Sequence, residues 1–276
     1  MPSPQPCSSL EITKPMHALS QRLRPYEHHA DQRALPGVFL LARLDGRGFS
    51  KLTKEVLHER LEAPFDESFH EAMLQTLELL MSEGFHIIYG HTHSDEFSLL
   101  FHREAQDFGR RLYKLQSTLA GLASASFSME MKCLATFDCR LLQLPCAELV
   151  LDYFEWRQQV AYHNALHAHC YWALRRDSVE PGAAHEQLKG MNPSRLNDLL
   201  FERFQTNFND LPSWQRRGVA MCFEQHPQPG VHPVTGEVVL GTRRGLVTHA
   251  ETLPFGGAHR SFLEAIIASS ETPSLQ

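Results

Sequence analysis

The sequence predicts an α+β protein whose core is a β-α-β-β-α-β sheet of ferredoxin-like order, with further helices and strands packed on it. Three observations carry that class: an isolated apolar run at 38–44, two apolar series at helical spacing, and a pair of strand-like runs between those series. The run VFLLARL at 38–44 reads as a buried strand. Asp66 stands where a helix cap belongs, and Phe69, Met73, Leu77 and Leu80 follow at helical spacing, with Gly84 as the stop. Strands at 85–89 and 96–101 flank the polar turn GHTHSD. Phe108, Leu112, Leu115, Leu119 and Leu122 mark a second amphipathic helix. Residues 133–144 read as the last strand, ended by Pro145. A long helix then covers 148–176 and another 186–204. The segments VHPVTGEVVLG and TRRGLVTH read as strands around a Thr-Gly turn. The Pro/Ser-rich residues 1–15 and the tail 269–276 are expected to be flexible. Between them, 16–268 is expected to be a single domain, with a core at 36–145 and an extension at 146–268.

A chain of 276 residues that is 42% apolar can bury a sizeable core without staples, which excludes a disordered protein and a disulfide-dependent miniprotein. Lys and Arg number 26 against 32 Asp and Glu, a net charge of −6 with histidine neutral. That balance gives no support to a sequence-blind nucleic-acid coat, although it leaves room for a local basic groove. The six cysteines form no C-x-x-C pair, so they read as reduced thiols of a cytosolic protein rather than as a zinc site. MPSPQPCSSLEITKPM lacks the apolar segment of a signal peptide, and no apolar run approaches eighteen residues. The expectation is a soluble, cytoplasmic protein with no membrane partner.

In the predicted topology, the end of the first strand and the turn of the central hairpin lie on adjacent strands. Asp45 and Asp95, fifty residues apart in sequence, therefore become neighbours in space. A carboxylate pair in that place suits two hard divalent cations, and Mg²⁺ completes its octahedron with water and phosphate oxygens. Gly46 and Gly48 let the DGRGFS backbone approach a triphosphate closely. Arg110, Arg111 and Lys114 share one helix face, and Arg140 sits on the last core strand; arginine forks match phosphate oxygens. The doublets Arg175/Arg176, Arg216/Arg217 and Arg243/Arg244 are weaker candidates for a phosphate-tracking groove. His163 and His167 have the spacing of a helical zinc pair, but no H-E-x-x-H accompanies them, so surface or core histidines are the better reading; the same applies to His91 and His93. The aromatic residues of the long helix read as core.

These residues resemble the tRNA-His guanylyltransferase family, and more closely its bacterial branch of 3′-to-5′ polymerases. RLDGRGFSKLT at 43–53 is similar to the family's first metal motif and SDEFSLLF at 94–101 to its second. PFD at 64–66, FDCR at 137–140, WRQ at 156–158, HNAL, CYWALR and NFNDLPSWQRRG at 207–218 follow in the family's order. The resemblance implies a polymerase-palm-like sheet and a single catalytic domain that adds nucleotides to the 5′ end of tRNA or another structured RNA. It implies two Mg²⁺ ions on Asp45, the Gly46 carbonyl and Asp95, with GTP and ATP as substrates. Arg47, Gly48, Phe49, Ser50 and Ser94 would cradle one triphosphate and Asp66 would face its base. Arg111, Lys114, Arg140 and Asn164 would hold a second triphosphate or the activated RNA end. Arg110, Arg175, Arg216 and Arg217 remain weak RNA contacts, and the family implies a homotetramer, a dimer of dimers.

Two departures bear on substrate choice. Ala63 stands where the family often has a basic residue, and Leu196 replaces the lysine of a Lys-Asn-Glu motif. The missing charge predicts better use of 5′-triphosphorylated than of 5′-monophosphorylated RNA. Two other readings are a palm-type nucleotide cyclase, because Ser94-Asp95-Glu96-Phe97 is similar to the turn of diguanylate cyclases, and an RNA-binding protein with weak catalysis.

Overall fold

A computed structural model describes residues 15–28, 31–231, 238–250 and 257–271. Its elements run α1 (Met16–His28), β1 (Phe39–Gly46), α2 (Phe49–Lys51), α3 (Glu67–Ser82), β2 (Ile87–His93), β3 (Glu96–Phe101), α4 (Leu112–Met131) and β4 (Phe137–Leu144). Then follow α5 (Ala147–Arg176), α6 (Pro181–Leu188), α7 (Pro193–Phe204), α8 (Ser213–Arg217), β5 (Val219–Val231), β6 (Val238–His249) and α9 (Gly257–Glu271). The strands form one antiparallel sheet in the order β4-β1-β3-β2-β5-β6.

Both faces of the sheet are covered, which is why β1 and β3 read as continuous apolar runs rather than as alternating ones. Leu40, Ala42, Leu44, Phe97, Leu99 and Phe101 pack under α3 and α4. Phe39, Leu41, Tyr89 and Leu100 pack under the first turns of α5 and under α9. The far half of α5, with Leu166, Cys170 and Leu174, leaves the sheet and forms a third core with α6, α7 and Phe208. Thirty residues make α5 about 45 Å long, enough to serve both cores.

Several boundaries differ from those expected, each for a local reason. Strand β2 continues to His93, so the hairpin turn is Ser94-Asp95 alone. The His91 and His93 Nε2–H groups donate to the carbonyls of Arg217 and Gln215, which fixes that extension. Phe108 precedes α4 in a short 3-10 turn and is exposed. β4 starts at Phe137 because Ser128 and Ser124 of α4 accept from the Ala135 and Phe137 amides and hold the chain in a return loop before it. The helix expected at 186–204 is broken into α6 and α7 at Gly190 and Pro193, where Asn192 caps α7 by accepting from the Arg195 amide. VVLG and TRRGLVTH form one strand, β6, whose partner β5 begins at Val219; the Thr-Gly turn lies outside the described residues. Helix α9 runs three residues into the expected tail, with Leu263 and Ile267 buried. Helix α1 was not expected, and residues 1–14 lie outside those described.

Gly218 joins α8 to β5 with φ +80° and ψ −168°, a region open essentially to glycine alone. A Cβ there would sit 2.3 Å from the Thr92 carbonyl and 2.8 Å from His91 Nε2. Gly218→Ala should therefore cost at least about 2 kcal/mol of stability, seen as a lower denaturant midpoint at unchanged slope.

Candidate active site

Register determines what meets at the sheet end. Asp45 of β1 is paired with Glu96 of β3 on one side and Asp138 of β4 on the other, so three carboxylates stand in one row. The next row back holds Arg140, Arg43 and Ser98. The Gly46 amide donates to the Asp95 carbonyl at 3.0 Å, so the strand end and the hairpin turn touch. Ser94 makes that turn with φ 54°, and its hydroxyl donates to Asp95 Oδ1 at 3.2 Å. The sequence expectation that Asp45 and Asp95 converge thus agrees with the geometry.

Glu96 holds the row together. Arg157 of α5 donates to it through Nε and Nη2, both at 2.7 Å, and Arg43 Nε donates at 2.7 Å. Arg43 Nη2 then reaches Asp45 Oδ2 at 2.9 Å. Burial works against the Arg43 charge, but Glu96 and Asp45 outweigh it and hold its pKa above the usual value. Burial likewise pushes Glu96 up, with Arg157 and Arg43 opposing. No cation is among the described contacts of Asp95. Burial first, and Asp45 as a neighbouring like charge, push it up to about 6, although its own backbone hydrogen bond pulls the other way.

The donor set fits a hard divalent cation. Asp45 and Asp95 offer carboxylates and Gly46 a carbonyl, and a cation there would offset the burial and the Asp45 charge that raise Asp95. Among the described residues no third side chain of ligand type joins the pair closely, which leaves positions for water and phosphate oxygens.

Two cavities flank this point and share Ser94, Asp95, Pro64 and Phe65 as a wall. The larger, about 640 Å³, holds Phe49, Ser50, Lys54, Asp66 and Arg175, with Tyr171, Trp172 and Trp214 as aromatic lining. Trp214 is stacked on His70 at 4.1 Å and 11°. The smaller, about 440 Å³, takes in Asp45, Arg43, His93, Glu96, Arg157 and Asn164.

The remaining candidates divide between site and scaffold. Arg47 is exposed, its amide donating to the Thr136 carbonyl at 2.8 Å, and Gly48 opens α2 with φ 71°. The Phe49 ring is core, against Phe69, Phe127 and Phe137, and a Cβ at Gly46 would strike it at 2.6 Å. Asp66 lines the larger cavity but also caps α3: it accepts from the Phe69 and Glu62 amides and from Ser68, bonds that hold its pKa low against the opposing effect of burial.

Arg110, expected on an outer helix face, is buried before α4 and donates to the carbonyls of Arg103, Ala105, Leu35 and Val38. An Arg so engaged clamps a loop and has no phosphate to reach. Arg111 donates to the Phe108 carbonyl, Lys114 lies over the Tyr113 ring, and neither lines either of these two cavities. Arg140 is exposed on the Asp45 face of the sheet, 3.6 Å from Asp138, outside both cavities. Arg175 faces the larger cavity while bonding the Val179 carbonyl; Arg216 Nε donates to the Leu211 carbonyl, and Arg217 supplies the carbonyl that holds His91.

Sequence reasoning missed Glu96 with Arg43 and Arg157, and it placed Trp172 in the core although it faces the larger cavity; Tyr171 does both, packing against the third core and lining that cavity. The register of Glu96 against Asp45 was the available signal for the first. Burial keeps His91 and His93 neutral, down to about 3 and about 4, as anchors of α8.

A family model described as tRNAHis guanylyltransferase matches residues 20–145, and one described as Thg1 C terminal domain matches 148–242. A probable tRNA(His) guanylyltransferase of Drosophila melanogaster is 31% identical over 203 residues, 69% of each chain. One of Dictyostelium discoideum is 31% identical over 229 residues, 79% of this chain and 87% of its own. A bacterial tRNA(His) guanylyltransferase-like protein solved in complex with ATP superposes with a TM-score of 0.73 at 27% identity, over 90% of this chain and 98% of that one. A second structure, in complex with GTP, gives 0.67 at 26% identity, over 91% and 99%.

The raised Asp95 pKa has a testable sign. In metal-free protein the folded state keeps a proton on Asp95 that the unfolded state releases from about pH 4, so this group makes stability fall as pH rises from about 4 to 6. Asp95→Asn should remove that fall and stabilise the metal-free protein at pH 7 by about 1–3 kcal/mol, read by urea unfolding in chelator at pH 4 and 7.

Proposed function

This chain belongs to the tRNA(His) guanylyltransferase family and is a nucleotidyltransferase, and from that premise we propose that it extends the 5′ end of tRNA or a similar structured RNA, in the 3′-to-5′ direction, with Mg²⁺ and nucleoside triphosphates. One observation carries the reading: Asp95 stands in the wall shared by two cavities and Asp45 beside it lines the smaller, where a reaction joining two phosphate-bearing substrates needs its charge neutralised. Two Mg²⁺ ions held by Asp45, the Gly46 carbonyl and Asp95 would supply that neutralisation.

The larger cavity suits a nucleoside triphosphate. Its base would lie against the aromatic lining near Asp66, and Ser50, Ser94, Lys54 and Arg175 would face polar groups. The smaller cavity, with Asn164, suits the second triphosphate or the RNA end. A 5′-monophosphate is a poor electrophile, so it is first adenylylated by ATP with loss of pyrophosphate. The 3′-hydroxyl of the incoming nucleotide then attacks the 5′ phosphorus and AMP leaves. A 5′-triphosphorylated end needs no activation and loses pyrophosphate. The residues contribute position and field rather than covalent chemistry. A cytoplasmic tetramer, pooling basic side chains from several subunits, fits a chain whose own charge is −6.

The test is extension of tRNA lacking its first nucleotide, bearing either end, with Mg²⁺ and triphosphates. Asp45→Ala should lower the rate roughly a thousandfold or more with the fold kept. Absence of extension on both ends would overturn the reading: RNA binding alone would favour a non-catalytic protein, and a cyclic dinucleotide formed from GTP without RNA would favour a cyclase.

The expected preference for triphosphorylated ends loses most of its ground. Lys54 and Arg175 line the larger cavity, and Arg176 donates to the Ala63 carbonyl, so cations stand beside the position where a basic residue is missing. Leu196 is fully buried in the α5–α7 core, with the Cys170 thiol bonded to its carbonyl. We therefore expect kcat/KM for the two ends to agree within about tenfold, at or below the roughly 10- to 150-fold that losing one charge-assisted contact would cost. A hundredfold difference on one truncated tRNA would show that the neighbouring cations do not substitute.

A further inference from the structure

Strand β5 leaves the body of the sheet at Cys222. It pairs with β2 only from Val219 to Cys222, then continues as a two-stranded ribbon with β6. At that root three donor atoms of different chemistry meet. Cys222 and Glu224 alternate onto the sheet face covered by α9, and His249 joins them from β6, where it is paired with the small Ala220 and lies diagonal to Cys222. Cys222 Sγ is 3.5 Å from His249 Nε2 and 3.9 Å from Glu224 Oε1, and Nε2 is 2.8 Å from Oε1. Among the described residues this is the one group in which three ligand-type side chains lie within 4.8 Å of one another.

We propose that Cys222, Glu224 and His249 form a zinc site, separate from the Asp45–Asp95 pair, that staples the root of the β5–β6 ribbon. A tetrahedral zinc, with bonds of about 2.3 Å to sulfur and about 2.0–2.2 Å to nitrogen and oxygen, keeps its ligand atoms about 3.4–3.6 Å apart. The sulfur–nitrogen separation already matches, the sulfur–oxygen one closes slightly, and the Glu224–His249 pair opens as the ion replaces its hydrogen bond. Thiolate, imidazole and carboxylate together favour zinc over Mg²⁺, which takes oxygen ligands. The cysteine is buried and His249 has the Phe262 ring of α9 against it at 5.0 Å, while Glu224 is 38% exposed and leaves a way in for a fourth ligand, water. On binding, the thiol proton passes to solvent and the sulfur–zinc bond forms. The ligand set C-x-E with a histidine twenty-five residues on has none of the paired-cysteine spacing by which zinc sites are read from sequence.

The test uses the full chain dialysed against chelator and titrated with zinc chloride alone, in competition with a chromophoric chelator. The expected result is one zinc per chain, lost in Cys222→Ser and in His249→Ala but kept in Cys170→Ser and in Asp45→Ala. Circular dichroism reports whether each variant folds. Cobalt chloride added to the unmodified protein gives a readout independent of how the ribbon-root variants fold: a tetrahedral visible spectrum with a thiolate charge-transfer band supports the site. No zinc bound, zinc lost in Asp45→Ala rather than in the ribbon variants, or a cobalt spectrum without the thiolate band would overturn it.

Discussion

The Glu96 carboxylate, which accepts three charge-assisted hydrogen bonds from two arginines, is the interaction on which the site depends. Arg157 comes from α5 and Arg43 from β1, so Glu96 ties the long helix to two strands of the sheet at one point. Such a part-buried cluster is a weak source of net stability, because desolvation offsets much of its attraction. Its value is geometric. Arg43 is divided between Glu96 and Asp45, and it fixes the second carboxylate relative to the first. Were Glu96 apolar, Arg157 would lose its part-buried partner and Arg43 would keep only its bond to Asp45.

A second constraint acts from the other side of Asp95. The Ser94-Asp95 turn is short because β2 runs to its very base, and β2 reaches that far because His91 and His93 are pinned to the chain around α8. That chain can approach only because residue 218 has no side chain. The same α8 carries Trp214, whose ring meets Phe65 and His70, so the wall of the larger cavity and the hairpin that carries Asp95 are positioned by one packing unit. Neutral imidazoles suit this role: kept uncharged by burial, they bond carbonyls without adding a cation beside the acids.

The fold and the acid pair were legible in the sequence to the extent that they rest on local pattern. Apolar periodicity marked α3, α4 and the central strands, and Asp-Gly at a strand end opposite a hairpin followed from topology alone. What escaped depends on long-range partners. Whether β2 ended at Tyr89 or His93 is decided by carbonyls some 125 residues away, and no pattern within GHTHSD records them. The buried clamp Arg110 looked like a surface arginine because its acceptors are backbone carbonyls, which carry no residue identity. The aromatic residues of α5 looked uniformly like core. Trp172 instead borders a cavity, and Tyr171 is shared between that cavity and the third core, because α5 outruns the sheet and its far half has α6 and α7 on only part of its surface.

The charge distribution sets how this chain can meet a phosphate-rich substrate. Several arginines near the site are already bonded: Arg157 and Arg43 to Glu96, Arg216 to the Leu211 carbonyl. Asp138, Asp45 and Glu96 form an acidic row at the place where phosphates would arrive. A triphosphate brought against that row would meet like charge until cations intervened, so in the proposed reaction divalent cation and substrate phosphate would each favour the binding of the other. The row disfavours phosphate alone and favours phosphate with divalent cation. The cations that line the larger cavity, Lys54 and Arg175, the latter also bonded to the Val179 carbonyl, would then orient the polyphosphate, and the acidic row would make productive binding conditional on the ions.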